Sequence, residues 1–340
     1  MHEPGLSQWK QLYEAASAVK KLAPWEWMAE TDIFGVKDPQ SDQIGFVSVM
    51  GTLGEHLAVA VYMGAKNVHA FWDLLRRRES ADPQELLELY QLQASFEDRE
   101  FVRPEDRRVM KSLNLKFRGR QAYPIFRAYH PAQFPWFLSV EETRILTLAL
   151  EQTLIVASCL QQNPELFDDY DAEHFLVRVQ TESGWQDQDL HIPAPPPELI
   201  PLQTDEALFK SFKKIPQSRL DLELDLFMTR SPVQDKSDER PYYPYALLMM
   251  DPLHDQIVVM ELLIPLPDLA SMYSQVPLTI IQKLAGTGLR PRRITVKSLR
   301  LFGLLKSLER ESGFVVQFSP HLPMLEQAKA SFINFYRNRF

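Results

Sequence analysis

The sequence predicts a mixed α/β (α+β) protein of two domains, each built on a mixed sheet in the chain order βββ-α-β-α-β-α. Three observations carry that prediction. Segments with apolar alternation and segments with apolar helical spacing follow one another in the same order in both halves. A stretch with six prolines, residues 191–219, separates the halves, and proline removes backbone donors and fixes φ. All six tryptophans (Trp9, Trp25, Trp27, Trp72, Trp136 and Trp185) precede that stretch. The predicted layout is a tryptophan-rich domain over residues 1–190, a linker over 191–219 and a second domain over 220–340.

The elements of the first half follow in order. "SQWKQLYEAASAVKKL" sets Trp9, Leu12, Tyr13, Ala16, Val19 and Leu22 near one helical face, and Pro24 ends that helix. "DIFGV" and "IGFVSVM" read as strands joined by "KDPQSDQ", where Asp-Pro suits a short connection. "HLAVAVYM" is a third strand. "AKNVHAFWDLLRRRE" and "DPQELLELYQLQ" read as helices, the second opened by Asp82 and Pro83. A strand "ASFEDRE", a helix "RPEDRRVMKSL" and a strand "YPIFRAYH" follow. Ser139 and Glu142 form a capping box before a long helix over 140–160. Arg144, Glu151 and Gln152 interrupt its apolar run and argue against a membrane span. "EHFLVRVQTESGWQDQDLHI" reads as a hairpin turning at Ser183 and Gly184.

The second half repeats the order. Three strands, "LDLELDLFM", "YALLMMDP" and "QIVVMELL", precede a helix interrupted near Pro277. Then come a strand "RRITVKS", a helix "LRLFGLLKSLERES", a strand "FVVQFS" and a closing helix. Residues 38–44 read "DPQSDQI" and 251–257 read "DPLHDQI", which raises a tandem duplication. The same element order belongs to ribonuclease H-like folds, which makes that topology a candidate, by analogy alone, for either half.

The chain has 340 residues with a formal net charge of -8, 45% hydrophobic and 24% charged, inside the ordinary globular range. The acidic balance weighs against a general nucleic-acid coat protein. The basic groups Arg76 to Arg78, Arg118 with Arg120, and Arg290 with Arg292 and Arg293 are short and sit near helix ends or strand starts. Cys159 is the lone cysteine, so no internal disulfide forms; its apolar setting predicts a buried, inert thiol. The N-terminus carries no secretory pattern, and the cytosol is the expected location, with no membrane partner.

The blocks "LYEAA", "LAPWEWM", "DIFGV" and "IGFVSVMGTLGEHLAVAVYMG", with "RPRRITV" and "GFVVQF" further on, resemble a bacterial family that pairs two domains of unknown function. One of its domains is similar to residues 7 to about 180 and the other to residues 220–335. The resemblance implies a soluble bacterial protein and brings no catalytic residues with it.

Cofactor chemistry is not expected. The eight histidines are scattered without a His-x-x-x-His pair, and no Gly-x-Ser-x-Gly elbow occurs. Gly51 and Gly54 in "MGTLGEH" lack the Lys-Ser or Lys-Thr of a phosphate loop and read as a strand-to-strand turn. Gly286 and Gly288 read as a helix end. Trp25 and Trp27 flank Glu26; on a strand they would share one face, either anchoring the first helix or offering an aromatic platform. The candidate ligand-binding residues are Trp25, Trp27, Asp32 and His56, the last a candidate titrating group beside Glu55. Asp221, Glu223 and Asp225 alternate along one strand face. The first reading is a non-enzymatic binding or adaptor protein with a protein or peptide partner. The alternative is a metal-dependent nuclease or phosphodiesterase. Its ligands in the first half would be Asp32, Glu97 or Asp98, and Glu141 or Glu142, while the fourth strand of the second half ends "TVKS" with no acid, which would leave that half inactive.

Overall fold

A computed structural model describes residues 3–77, 83–236 and 239–337. The chain divides into two compact units, residues 1–130 with 135–196 and residues 131–134 with 197–340. Arg78 and the predicted cap Asp82 lie outside the described residues.

The first unit opens with α1 (Leu6–Leu22), which buries Leu12, Tyr13, Ala16 and Val19. Ala23 then turns left-handed, its N–H closes on the Val19 carbonyl, and Pro24 starts a single 3-10 turn over Pro24–Glu26. Three strands follow, β1 (Phe34–Lys37), β2 (Ile44–Met50) and β3 (Ala58–Met63), then α2 (Gly64–Arg76). The predicted second helix is only a 3-10 turn, Pro83–Glu88, and β4 (Gln91–Glu97) starts earlier than the sequence suggested. Leu92, Ala94 and Phe96 of β4 alternate into the core. Pairing with β3 along Tyr62 to Ala58 therefore overrides the helical bias of "ELLELYQLQ". After α3 (Pro104–Ser112) come β5 (Tyr123–Tyr129), α4 (Val140–Gln162) and the hairpin β6 (His174–Thr181) with β7 (Gly184–His191).

The seven strands lie in the order β5-β4-β3-β2-β1-β6-β7, and only the β1–β6 pair is parallel. α1 and α4 bury their apolar stripes on one face, against Phe34, Val47, Val61 and Leu92. α2 covers part of the other face, with Val68 and Phe71 against Phe46, Tyr62 and Phe175. The Ser139 capping box is present: Glu142 N–H donates to Ser139 Oγ, and Ser139 N–H donates to the Glu142 carboxylate. α4 has the length and composition of a membrane span, yet most of it is buried within the unit.

The second unit contains α5 (Glu206–Lys213), a helix inside the stretch read as a linker. Asp205 caps it, and Phe209 and Phe212 bury its inner face. The prolines at 193–201 precede that helix, so they do not oppose it. β8 (Asp221–Met228), β9 (Tyr245–Asp251) and β10 (Gln256–Leu263) form an antiparallel meander. α6 (Leu269–Thr287) is continuous across Pro277 and ends at Gly288, which adopts φ 69°. β11 (Arg293–Val296), α7 (Leu299–Lys306), α8 (Glu309–Ser312), β12 (Val315–Phe318) and α9 (Pro323–Arg337) complete it.

The order of elements along the chain is shared by the two halves, but the sheets they build are not. The second sheet runs β10-β9-β8-β11-β12, with β11 parallel to both β8 and β12, the ribonuclease H-like order. In the first unit β4 returns antiparallel to the outer edge of β3 and extends the meander; β6 takes the place beside β1. The first unit is therefore not ribonuclease H-like, and the sheets give no support to a tandem duplication.

Candidate functional site

One open cavity of about 250 Å³ lies in the first unit, at the C-terminal end of α4. The segment after α1 contributes Trp27 and Asp32. α4 contributes Leu160 and Gln161, and the turn that follows contributes Pro164, Phe167 and Asp168. Local chemistry fixes each part. The 3-10 turn led by Pro24 delivers Trp27, whose indole N–H donates to the Ala157 carbonyl of α4 at 3.0 Å. With its polar atom occupied, the half-buried ring offers its surface to the cavity. Asp32 is held by a tight turn, accepting from the Ala29 N–H at 2.7 Å while its own N–H donates to the Ala29 carbonyl.

Two carboxylates, Asp32 and Asp168, line the cavity. Burial raises the Asp32 carboxyl above its ordinary value and the charge of Asp168 raises it further, against the lowering effect of the Ala29 N–H. α4 ends here with no basic residue in its last turn, so the partial negative charge of its terminal carbonyls has no cation of its own helix beside it.

Two of the four candidate residues, Trp27 and Asp32, therefore line the same cavity. The other two do not. Trp25 is not on a strand with Trp27, because the 3-10 turn points the two rings to different surroundings. Trp25 is buried, 5.4 Å from the Phe96 ring, with Lys20 Nζ 5.1 Å above it. His56 lies near the start of β3, its Nε2 3.2 Å from Gln93 Nε2 and its Nδ1 3.8 Å from Glu97. Sequence reasoning missed Phe167 and Asp168. The signal was "NPELFDDY" directly after a long helix without a closing cation.

The acids proposed for a two-metal centre serve separate local ends. Asp98 accepts from the Gln121 N–H at 2.7 Å. Glu142 is buried and takes His130 Nε2 at 2.7 Å and Tyr90 Oη at 3.2 Å. Burial opposes its charge, but the bonds from His130 and Ser139 prevail and hold it at about 2. In the second unit Asp225 is buried against Lys329 of α9 at 3.3 Å, and Lys297 engages Glu326 at 2.7 Å. Glu223 accepts from the Leu325 N–H at 3.3 Å, and burial, then the Glu326 charge, raise its carboxyl. Lysines thus pair with two of the acids of the second unit, Asp225 and Glu326. Among the described residues no group of three or more His, Cys, Asp or Glu side chains could hold a metal ion. Cys159, expected to be buried, is exposed. It shares the outward stripe of α4 with Glu151 and Ile155, spaced by four, while Val156, Ala157 and Leu160 face the core.

Fold and site together define a two-unit α+β protein with an aromatic, acid-lined cavity in its first unit and, in its second, Asp225 and Glu326 paired with lysines. The chain belongs to the family of the domain of unknown function DUF7309, whose model matches residues 9–178, half of its length. A second domain of unknown function, DUF6930, matches residues 208–333. No curated protein matches it.

Proposed function

We propose that this protein is a non-enzymatic binding protein whose first unit receives one side chain of a protein or peptide partner. The observation that carries this reading is the cavity joining Trp27 and Asp32 to the end of α4. At about 250 Å³ it falls below the roughly 300–1,000 Å³ of sites for larger small molecules and suits a single side chain. Its floor includes a fixed indole, the kind of rigid aromatic surface on which binding energy concentrates. The other conspicuous polar groups of this unit, Glu142 with His130 and Asp106 with Arg127, are closed on one another.

The test is ligand-observed NMR with a panel of N-acetylated, C-amidated amino acids covering aromatic, neutral, anionic and cationic side chains. At least one member binds the wild type, and the signal is lost in both Trp27→Ala and Phe167→Ala, checked for folding by circular dichroism. A panel with no binder refutes the reading.

The second reading, a metal-dependent nuclease or phosphodiesterase, rests on the strand order of the second sheet. Against it stand Lys297 and Lys329, which neutralise Glu326 and Asp225. Hydrolysis of labelled RNA or DNA that requires Mg²⁺ or Mn²⁺ and vanishes in Asp225→Asn would restore it.

A further inference from the structure

We infer that the group this cavity recognises is an organic cation, the guanidinium or ammonium end of an arginine or lysine side chain presented by a peptide. The inference rests on the binding role proposed above and names its chemistry. Three features converge on one small space. Asp32 and Asp168 both line it, and among the described residues neither has a basic partner there. The C-terminal turn of α4, twenty-three residues long, ends at it with no lysine or arginine in that turn. Trp27 and Phe167 supply ring surface, on which a cation gains from the ring quadrupole.

Each feature favours positive charge for a separate physical reason. A carboxylate pairs with a guanidinium through charge-assisted hydrogen bonds. Helix carbonyls left over at a C-terminus attract cations through the partial charge they carry. Burial of Asp32 next to Asp168 disfavours its charged form. An incoming cation removes that repulsion, so its binding is stronger than at an isolated exposed acid. An anionic side chain meets both carboxylates and the helix end and is rejected. A neutral side chain gains only the aromatic contact.

The open mouth of the cavity chooses between sources. One guanidinium with part of its aliphatic stem fits about 250 Å³. A peptide also presents main-chain groups at the open mouth, which a free small amine does not.

The experiment is isothermal titration of the full chain with four probes. These are the tripeptide acetyl-Gly-Arg-Gly-amide, its glutamine counterpart acetyl-Gly-Gln-Gly-amide, the small cation benzamidine, and the anion phenylacetate. The arginine peptide binds at least tenfold tighter than the glutamine peptide, and more tightly than benzamidine. Asp32→Asn and the exposed-site variant Asp168→Asn each weaken the arginine peptide about tenfold while leaving the glutamine peptide unchanged. Raising NaCl from 50 to 500 mM weakens the arginine peptide severalfold, because screening acts on the charged pair. Equal affinity for the arginine and glutamine peptides, or unchanged affinity in both asparagine variants, overturns the cation assignment. Binding of phenylacetate or of the glutamine peptide alone would leave the binding role standing and sink the cation. Benzamidine binding as tightly as the arginine peptide would replace the peptide with a small free cation. Silence from all four probes would sink the cation assignment, and the amino-acid panel above then decides the binding role.

Discussion

Trp27 and Ala157 are 130 positions apart in sequence, and the indole N–H of the first lies 3.0 Å from the carbonyl oxygen of the second. This bond ties the segment after α1 to the last turns of α4 and sets one wall of the cavity. Trp25, two residues earlier, has a different duty: it is buried against Phe96 beneath the Lys20 ammonium.

The two tryptophans therefore separate in mutation. Trp25→Ala costs about 3–5 kcal/mol of stability, because a large buried ring is removed and its site cannot fully collapse. Trp27→Phe keeps a ring in the cavity wall and loses one hydrogen bond, a cost of about 1 kcal/mol. Urea unfolding of the two variants measures both. Equal losses would move Trp27 into the core and remove it from the cavity.

Acid sensitivity traces to two buried carboxylates in the first unit. Burial works to raise Asp38, but bonds from Arg144, Ser41 and the Gln40 N–H outweigh it and hold the carboxyl at about 2. Glu142 is held at about 2 in the same manner by His130 and Ser139. A carboxyl lowered on folding stabilises the fold in its charged form. Both contributions are complete above the ordinary carboxylate range and are lost as pH falls through about 4 towards 2. Asp38→Asn with Glu142→Gln lowers stability at pH 7 and flattens the curve of melting temperature between pH 5 and pH 2. An acid limb as steep as that of the wild type would assign the sensitivity elsewhere.

In the second unit the Asp225–Lys329 pair joins the central strand β8 to α9, with Lys329 also 4.3 Å above the Phe227 ring. Lys329→Met strands a buried carboxylate and costs about 3 kcal/mol or more. Adding Asp225→Asn removes the charge and recovers much of the loss, so the two effects are far from additive. Chemical denaturation of the single and double variants gives the coupling. Additive losses would show that the lysine acts by packing alone.

Much of this architecture was readable from residue pattern. The capping box at Ser139 and Glu142, the stop at Pro24 and the element order of both halves follow from local chemistry, and local chemistry decides them in the structure. Strand neighbours are decided by pairing across the sheet. β4 alternates like any strand, and nothing in "QLQASFE" says whether its edge meets β3 or β1. The helical reading of "DPQELLELYQLQ" failed for the same reason, since pairing with β3 claims Gln91 and Leu92. The site was half legible. Trp27 and Asp32 stood out as residue types, whereas Phe167 and Asp168 join them only because α4 brings its end back to the start of the sheet. Trp25 and His56 looked equally conspicuous, and packing sent them elsewhere.

The turn between β2 and β3 offers the sharpest test of why a glycine stands where it does. Gly51 and Gly54 both have positive φ, 132° and 72°, so both carry a backbone that side chains disfavour. Their surroundings differ. A Cβ on Gly51 would sit 2.7 Å from Leu57 Cδ2 and 3.2 Å from Trp25 Cβ, whereas a Cβ on Gly54 meets nothing within 4 Å. Gly54→Ala therefore carries only the left-handed backbone penalty, about 1 kcal/mol. Gly51→Ala carries backbone strain, a clash with Leu57 Cδ2 and a tight approach to Trp25 Cβ, about 2–4 kcal/mol in sum. The tight approach to Trp25 Cβ shifts that side chain, so the near-ultraviolet circular dichroism changes in Gly51→Ala and stays as in the wild type in Gly54→Ala. Thermal unfolding with that spectrum decides the matter. Matching losses in the two variants, or an unaltered tryptophan spectrum in Gly51→Ala, would mean that close packing against Trp25 is not what requires glycine at position 51.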